Sequence, residues 1–257
     1  MLTSKALHSW ELLDVIIAAL SERRPLSIIS AGATETFAMA QYTLLSEAEM
    51  MNHPEALVAN RQEKHGFGHR GVTFPNVKLR DEVVAAVRQA DVVGYNILAR
   101  IPEGGPFTEK VFDVYGIAPE FIFDSYLRRV IMFSQPERFK SMLRNRRVLL
   151  IGEPSGRAKE AVENRWQDEL QVTIVGAIPI EGYGDISEVK SQIDSVDFDL
   201  CLLAAGTNAL ILSSYIASTR GKVAFDIGFG MTSLYTNEVF FDPWLVKFIG
   251  LDRLMKM

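Results

Sequence analysis

An α/β fold, with a Rossmann-like, mainly parallel sheet and helices on both faces, follows from three observations. Strand and helix patterns alternate along the whole chain. The strand at residues 147–152 is apolar through its centre, as a strand covered on both faces must be. Four strands end in turn residues and re-enter as helices, the crossover that a parallel sheet requires.

Residues 6–23 place Leu7, Trp10, Leu13, Ile16, Ile17 and Leu20 at helical spacing. Pro25 closes that helix, and residues 26–30 form the first strand. A glycine turn follows, and residues 35–45 are helical. Residues 46–79 read as a long irregular stretch, with His53-Pro54 and a run rich in glycine and histidine at 64–71. Stretches of that length in a compact domain are usually functional or mobile. A helix at 80–90, a strand at 91–95, a helix at 107–115 and a short strand at 121–123 come next. Residues 126–143 form a helix broken near Pro136. The second half is more regular: strand 147–152, helix 155–170, strand 171–177, helix 185–196, strand 200–204, helix 209–218 and strand 223–226. The 257 residues suit one α/β domain over 1–257. The basic run Arg144-Asn145-Arg146-Arg147 offers the alternative of two lobes, 1–145 and 146–257.

A net charge of -5 provides no basic field for nucleic acid. The one cysteine, Cys201, lies in an apolar run, which excludes an intrachain disulfide and fits a reducing compartment. The apolar runs are far too short to span a bilayer, and the first residues have no signal-peptide core. The expected location is the cytoplasm.

Four strand ends carry the candidate chemistry, and a parallel sheet puts all of them on one edge. Gly32-Ala33-Thr34-Glu35 ends the first strand and opens a helix, so backbone amides and the helix dipole form a phosphate-sized concavity beside one acid. The plain alternative is a strand-to-helix turn with Glu35 as a first-turn acid. Gly152-Glu153-Pro154-Ser155-Gly156 is either a phosphate turn or a tight turn with a helix cap; Pro154 removes one amide. Gly206, Thr207 and Asn208 can donate to a diphosphate without a lysine, or simply cap their helix. Asp226 ends the last strand, where it meets a ribose or sugar hydroxyl or satisfies nearby amides. His65 and His69 are separated by Gly66 and Gly68 and make a poor zinc pair. Arg128-Arg129 reads as a phosphate-neutralising pair or as a solvated face.

The order strand-Gly-x-x-Glu-helix, then Pro75-Asn76 with Leu79-Arg80-Asp81, Leu-Ile-Gly, Asp-Phe-Asp-Leu, Ala-Gly-Thr-Asn-Ala and Val-Ala-Phe-Asp-Ile-Gly resembles the GT-D fold glycosyltransferases. That family was once catalogued as a domain of unknown function in bacterial surface-glycan and glycoprotein loci. The resemblance spans residues 26–234 and implies a Rossmann-like enzyme that moves a hexose from a UDP-sugar or similar donor to a glycan or glycoprotein acceptor. It also implies a divalent metal, manganese or magnesium, held by an Asp-x-Glu pair in a Gly-Asp-Gly-Glu turn. Here Glu35 matches the glutamate, as catalytic group or metal ligand, but Ala33 replaces the aspartate and Thr34 the second glycine. Gly32, Thr34, Gly152, Ser155, Gly206, Thr207, Asn208 and Asp226 are the residues expected around the donor. Halving the charge weakens metal binding and leaving-group stabilisation.

Three readings follow: a transferase impaired at its metal motif, a catalytically weak binding or scaffold protein on the same fold, and an unrelated Rossmann enzyme such as a methyltransferase or reductase. The segment 242–257, with Trp244, Leu245, Phe248, Ile249, Leu251, Leu254 and Met255, presents an apolar face that docks on a second copy or packs on its own core.

Overall fold

A computed structural model of the chain describes residues 5–61, 72–240, 247 and 249–257. In chain order the elements are β1 Lys5–Ala6, α1 Ser9–Glu22, β2 Leu26–Ala31, α2 Ala33–Ala40, α3 Glu47–Met51, α4 Pro54–Asn60, α5 Val77–Gln89, β3 Val92–Tyr95, α6 Gly105–Tyr115 and β4 Phe121–Asp124. There follow α7 Leu127–Ser134, α8 Pro136–Leu143, β5 Arg147–Gly152, α9 Ser155–Leu170, β6 Thr173–Ile178, α10 Ile186–Asp194, β7 Leu200–Ala204, α11 Thr207–Arg220, β8 Val223–Asp226, α12 Gly230–Thr236 and α13 Leu251–Met255. Among the described residues eight strands form one sheet in the order β1-β4-β3-β2-β8-β7-β5-β6. Every pairing is parallel.

Period-two alternation divides the strands between two apolar layers. Ile29, Val93, Leu149, Ile151, Cys201 and Leu203 face a core shared with α2, α5, α10 and α11. Ile28, Val92, Val148, Leu150, Leu202 and Phe225 face a second core shared with α1, α7, α8, α9 and α12. β8 bonds to β2 on one side and β7 on the other, so the sheet runs unbroken past the basic run at 144–147.

The expected irregular stretch 46–79 is the main departure. Two short helices occupy its first part, and α5 begins at Val77, earlier than residue 80. The signals are local. Ser46 Oγ accepts from the Glu49 amide while the Glu49 carboxylate accepts from the Ser46 amide, a reciprocal cap that starts α3. His53 caps α4, with Pro54 in its first turn. Asn76 Oδ1 accepts from Leu79 N and starts α5. The run 64–71 with His65 and His69 lies outside the described residues. In the C-terminal segment, Ile249 and Leu254 are buried in the second core, and α13 packs on α7. The described part of that segment therefore turns its apolar residues inward; Trp244, Leu245 and Phe248 lie outside the described residues. Among the described residues no helix is long and apolar enough to cross a membrane.

Candidate active site

The four expected loops leave β2, β8, β7 and β5, which are consecutive in the sheet. After β2 the chain enters α2 in one core, and after β8 it enters α12 in the other. Neighbouring strands whose connections depart to opposite faces open a crevice at their carboxyl ends, where α/β folds bind ligands.

Glu35, in the first turn of α2, accepts from Thr207 Oγ1 at 3.0 Å, from the first residue of α11. The two residues are 172 apart in sequence. Gly32 makes this arrangement possible: a Cβ on it would stand 2.9 Å from Glu35 Oε2. Glu35 is almost wholly buried. Burial pushes its carboxyl up, and the nearby Asp226 charge adds to this; its own amide, the Thr207 hydroxyl and Arg128 pull the other way. A carboxyl in this state suits proton transfer better than metal coordination.

Asp226 closes β8, buried to 3% exposure. Arg128 of α7 reaches it from the other face of the sheet, with Nη1 2.5 Å from Asp226 Oδ2 and 3.1 Å from the Asp226 carbonyl. Arg128 Nε donates to the Ser125 carbonyl at 3.1 Å. The Gly228 amide donates to Asp226 Oδ1 at 3.1 Å. Burial pushes the Asp226 carboxyl up, against the charge of Arg128. Asp124, at the end of β4, is a third buried acid, raised to about 6 by burial against the pull of the Leu98 and Tyr126 amides.

Beside these satisfied groups stand orphaned ones. Ser30 Oγ and both side-chain polar atoms of Asn208 are buried without a hydrogen-bond partner among the described residues. Each such group costs about 1–3 kcal/mol of desolvation; unpartnered buried side-chain atoms also occur at Ser9, Ser27, Ser134, Arg146, Ser213 and Ser233.

The remaining expected residues divide. Gly206 holds the N-terminal turn of α11 at φ 56°. Gly152 has φ 141°, and a Cβ there would lie 2.4 Å from the Ala204 carbonyl oxygen, so strand packing alone demands glycine. Ser155 begins α9 and is buried. Thr34 turns away from the crevice and donates to Glu55 Oε2 of α4 at 2.9 Å. Arg128 and Arg129 separate: Arg129 lies over the rings of Tyr126, Phe229 and Phe240. A cleft of about 690 Å³ lies at the amino ends of β2, β3 and β4, lined by Leu26, Val92 and Phe121. A second, of about 250 Å³, lies between α5 and α11. None of the expected site residues lines either cleft.

A profile of the GT-D fold-like domain matches residues 7–234. The chain belongs to the GT-D-like family. That match takes in every loop of the crevice, from Gly32 to Asp226. Two solved structures share the fold. One is described as the highly conserved domain of unknown function 1792, with a distinct glycosyltransferase fold; the other is a selenomethionine-substituted structure of that domain. Each is 17% identical, with a TM-score of 0.55, covering 91% of this chain and 80% of the other. No curated protein matches the chain.

The residues present do not fit the divalent metal that the family resemblance implies. Ala33, at the aspartate position, is exposed on α2 while Glu35 is buried. Asp226 is already neutralised by a guanidinium. Among the described residues no three acid, histidine or cysteine side chains converge on a metal position. A hard cation needs several anionic oxygens, and here one acid is paired with a guanidinium while burial raises the proton affinity of the other.

Proposed function

We propose that this GT-D-like chain transfers a hexose from a nucleoside-diphosphate sugar, a UDP-sugar being the first choice, to a hydroxyl of a glycan or glycoprotein acceptor. The supporting observation is the convergence of Glu35, Thr207, Asp226 and Arg128 with the unpartnered Ser30 and Asn208 at the crevice of a glycosyltransferase fold. In this reading the amides and side chains of Gly206, Thr207 and Asn208 receive the diphosphate at the N-terminus of α11. Asp226 accepts from a ribose or sugar hydroxyl. Glu35 serves as general base: it takes the proton of the acceptor hydroxyl as that oxygen bonds to the anomeric carbon. The bond from that carbon to the diphosphate breaks, and the nucleoside diphosphate leaves with the electron pair. A carboxyl whose affinity for protons is raised by burial is suited to this role.

The scaffold reading draws on a different observation: the acids and Asn208 are closed in by the protein around them. A thermal-shift panel of nucleotides and nucleotide sugars, followed by a transfer or hydrolysis assay, separates the two. Under the transferase reading a uridine nucleotide raises the melting temperature, a UDP-sugar is turned over, and Glu35→Gln lowers kcat by roughly 100-fold. Stabilisation without turnover leaves the scaffold reading. Stabilisation by NAD or a methyl donor, with none by uridine nucleotides, overturns both.

A further inference from the structure

We propose that Arg128 takes the place of the divalent cation, so that this crevice binds a nucleoside diphosphate without a metal ion. The inference rests on the donor reading above and assigns the charge that the diphosphate meets. Glu35 and Asp226 carry two potential negative charges at the ends of β2 and β8, and an anionic ligand would be repelled unless they were compensated. Arg128 is the compensating charge. Its Nη1 and Nε are committed to Asp226 and to the Ser125 carbonyl, which fixes the plane of the guanidinium. Its Nη2 makes no hydrogen bond among the described residues. The two bidentate edges of the guanidinium, Nε–Nη2 and Nη1–Nη2, therefore each have one donor held by the protein, and Nη2 remains as a single pre-oriented donor for a phosphate oxygen.

The surroundings agree. Gly228 lies under the guanidinium: a Cβ there would stand 2.9 Å from Arg128 Nη1, so the absence of a side chain lets the cation reach the end of β8. Ser30, Asn208 and the α11 N-terminus add uncharged donors at the same crevice. A fixed guanidinium and a divalent cation would repel each other, and the exposed Ala33 leaves the cation without the acid that would favour it.

Calorimetric titration of UDP into the full chain, with EDTA and then with manganese, tests this on the wild type and on Arg128→Gln. The wild-type Kd is expected to agree within threefold between the two conditions. Arg128→Gln is expected to bind at least tenfold more weakly in EDTA, and to recover at least threefold when manganese is added, because Asp226 is freed to coordinate it. A wild-type affinity that rises tenfold or more with manganese overturns the inference and leaves the donor reading intact. So does an Arg128→Gln loss that is equal in both conditions, which would make Arg128 a purely structural partner of Asp226. If neither UDP nor a UDP-sugar binds the wild type in either condition, the donor reading fails and this inference with it. The wild-type comparison stands even if the variant does not fold.

Discussion

Glu35 concentrates the tension of the site in one side chain. The protein buries it, gives it a single hydroxyl partner in Thr207, and sets it near a second acid. The consequence for stability has a definite sign. Well below pH 4.5 the carboxyl is protonated in both folded and unfolded chains, so its ionisation adds no cost to burial. As pH rises the unfolded chain loses its proton first, and the folded state must either keep the proton or bury a charge. Stability therefore falls as pH climbs from 4.5 through the raised folded value. Glu35→Gln keeps an oxygen for Thr207 and removes the titration. Its melting temperature should exceed that of the wild type at pH 7 and coincide with it at pH 4, as differential scanning calorimetry would read. A variant less stable than wild type at pH 7 would show that the ionised carboxylate is favoured where it sits. Glu35, Thr207 and Asp226 are legible in the sequence, because a strand that stops at a glycine or an acid before a helix is a local pattern. Arg128 is only half legible: Arg128-Arg129 reads as a phosphate-neutralising pair or a solvated face, and the pairing of Arg128 with Asp226, 98 residues away, is not in the spacing. Nor does spacing show that Ser30 and Asn208 end up buried without partners.

At the scale of elements, the geometry of α2 explains why the position of Ala33 matters less than its identity suggests. Side chains two apart on a helix point to nearly opposite sides. Ala33 is exposed and Glu35 buried, as that rotation requires. Ala33→Asp should accordingly leave manganese affinity unchanged within twofold in a calorimetric titration, while placing a carboxylate where the helix dipole favours it. A tenfold gain would mean that the first turn of α2 can unwind to bring both acids to one ion. From β5 to β8 the elements are legible to within two residues, because the strands are short apolar runs and the helices between them carry helical periodicity; α12, Gly230–Thr236, is not read from the sequence. The small helices α3 and α4 are missed for the opposite reason. Five and seven residues carry too little periodicity, and only their caps, Ser46 with Glu49 and His53 before Pro54, announce them.

At the scale of the whole molecule, the sequence suggests a parallel sheet but not the order of its strands. That order depends on which apolar faces meet, and chain order gives no direct measure of it. The consequence is largest for β8, whose hydrogen bonds go to β2 from the first half and to β7 from the second. Residues 146–257 alone would leave the β2-facing edge of β8 bare. They should show no cooperative unfolding transition in urea, followed by circular dichroism, unless residues 1–145 are supplied in trans. A sharp transition for the isolated piece would support two lobes. The same placement constrains the order of events at the ribosome. The strand that carries Asp226 is the last of the eight to be made, yet its slot is in the middle of the sheet. Until it emerges, Arg128 waits without its carboxylate and β2 and β7 have no strand between them. The crevice is thus the part of the sheet that a nascent chain completes last, and a product that stops before β8 would lack the central strand between β2 and β7.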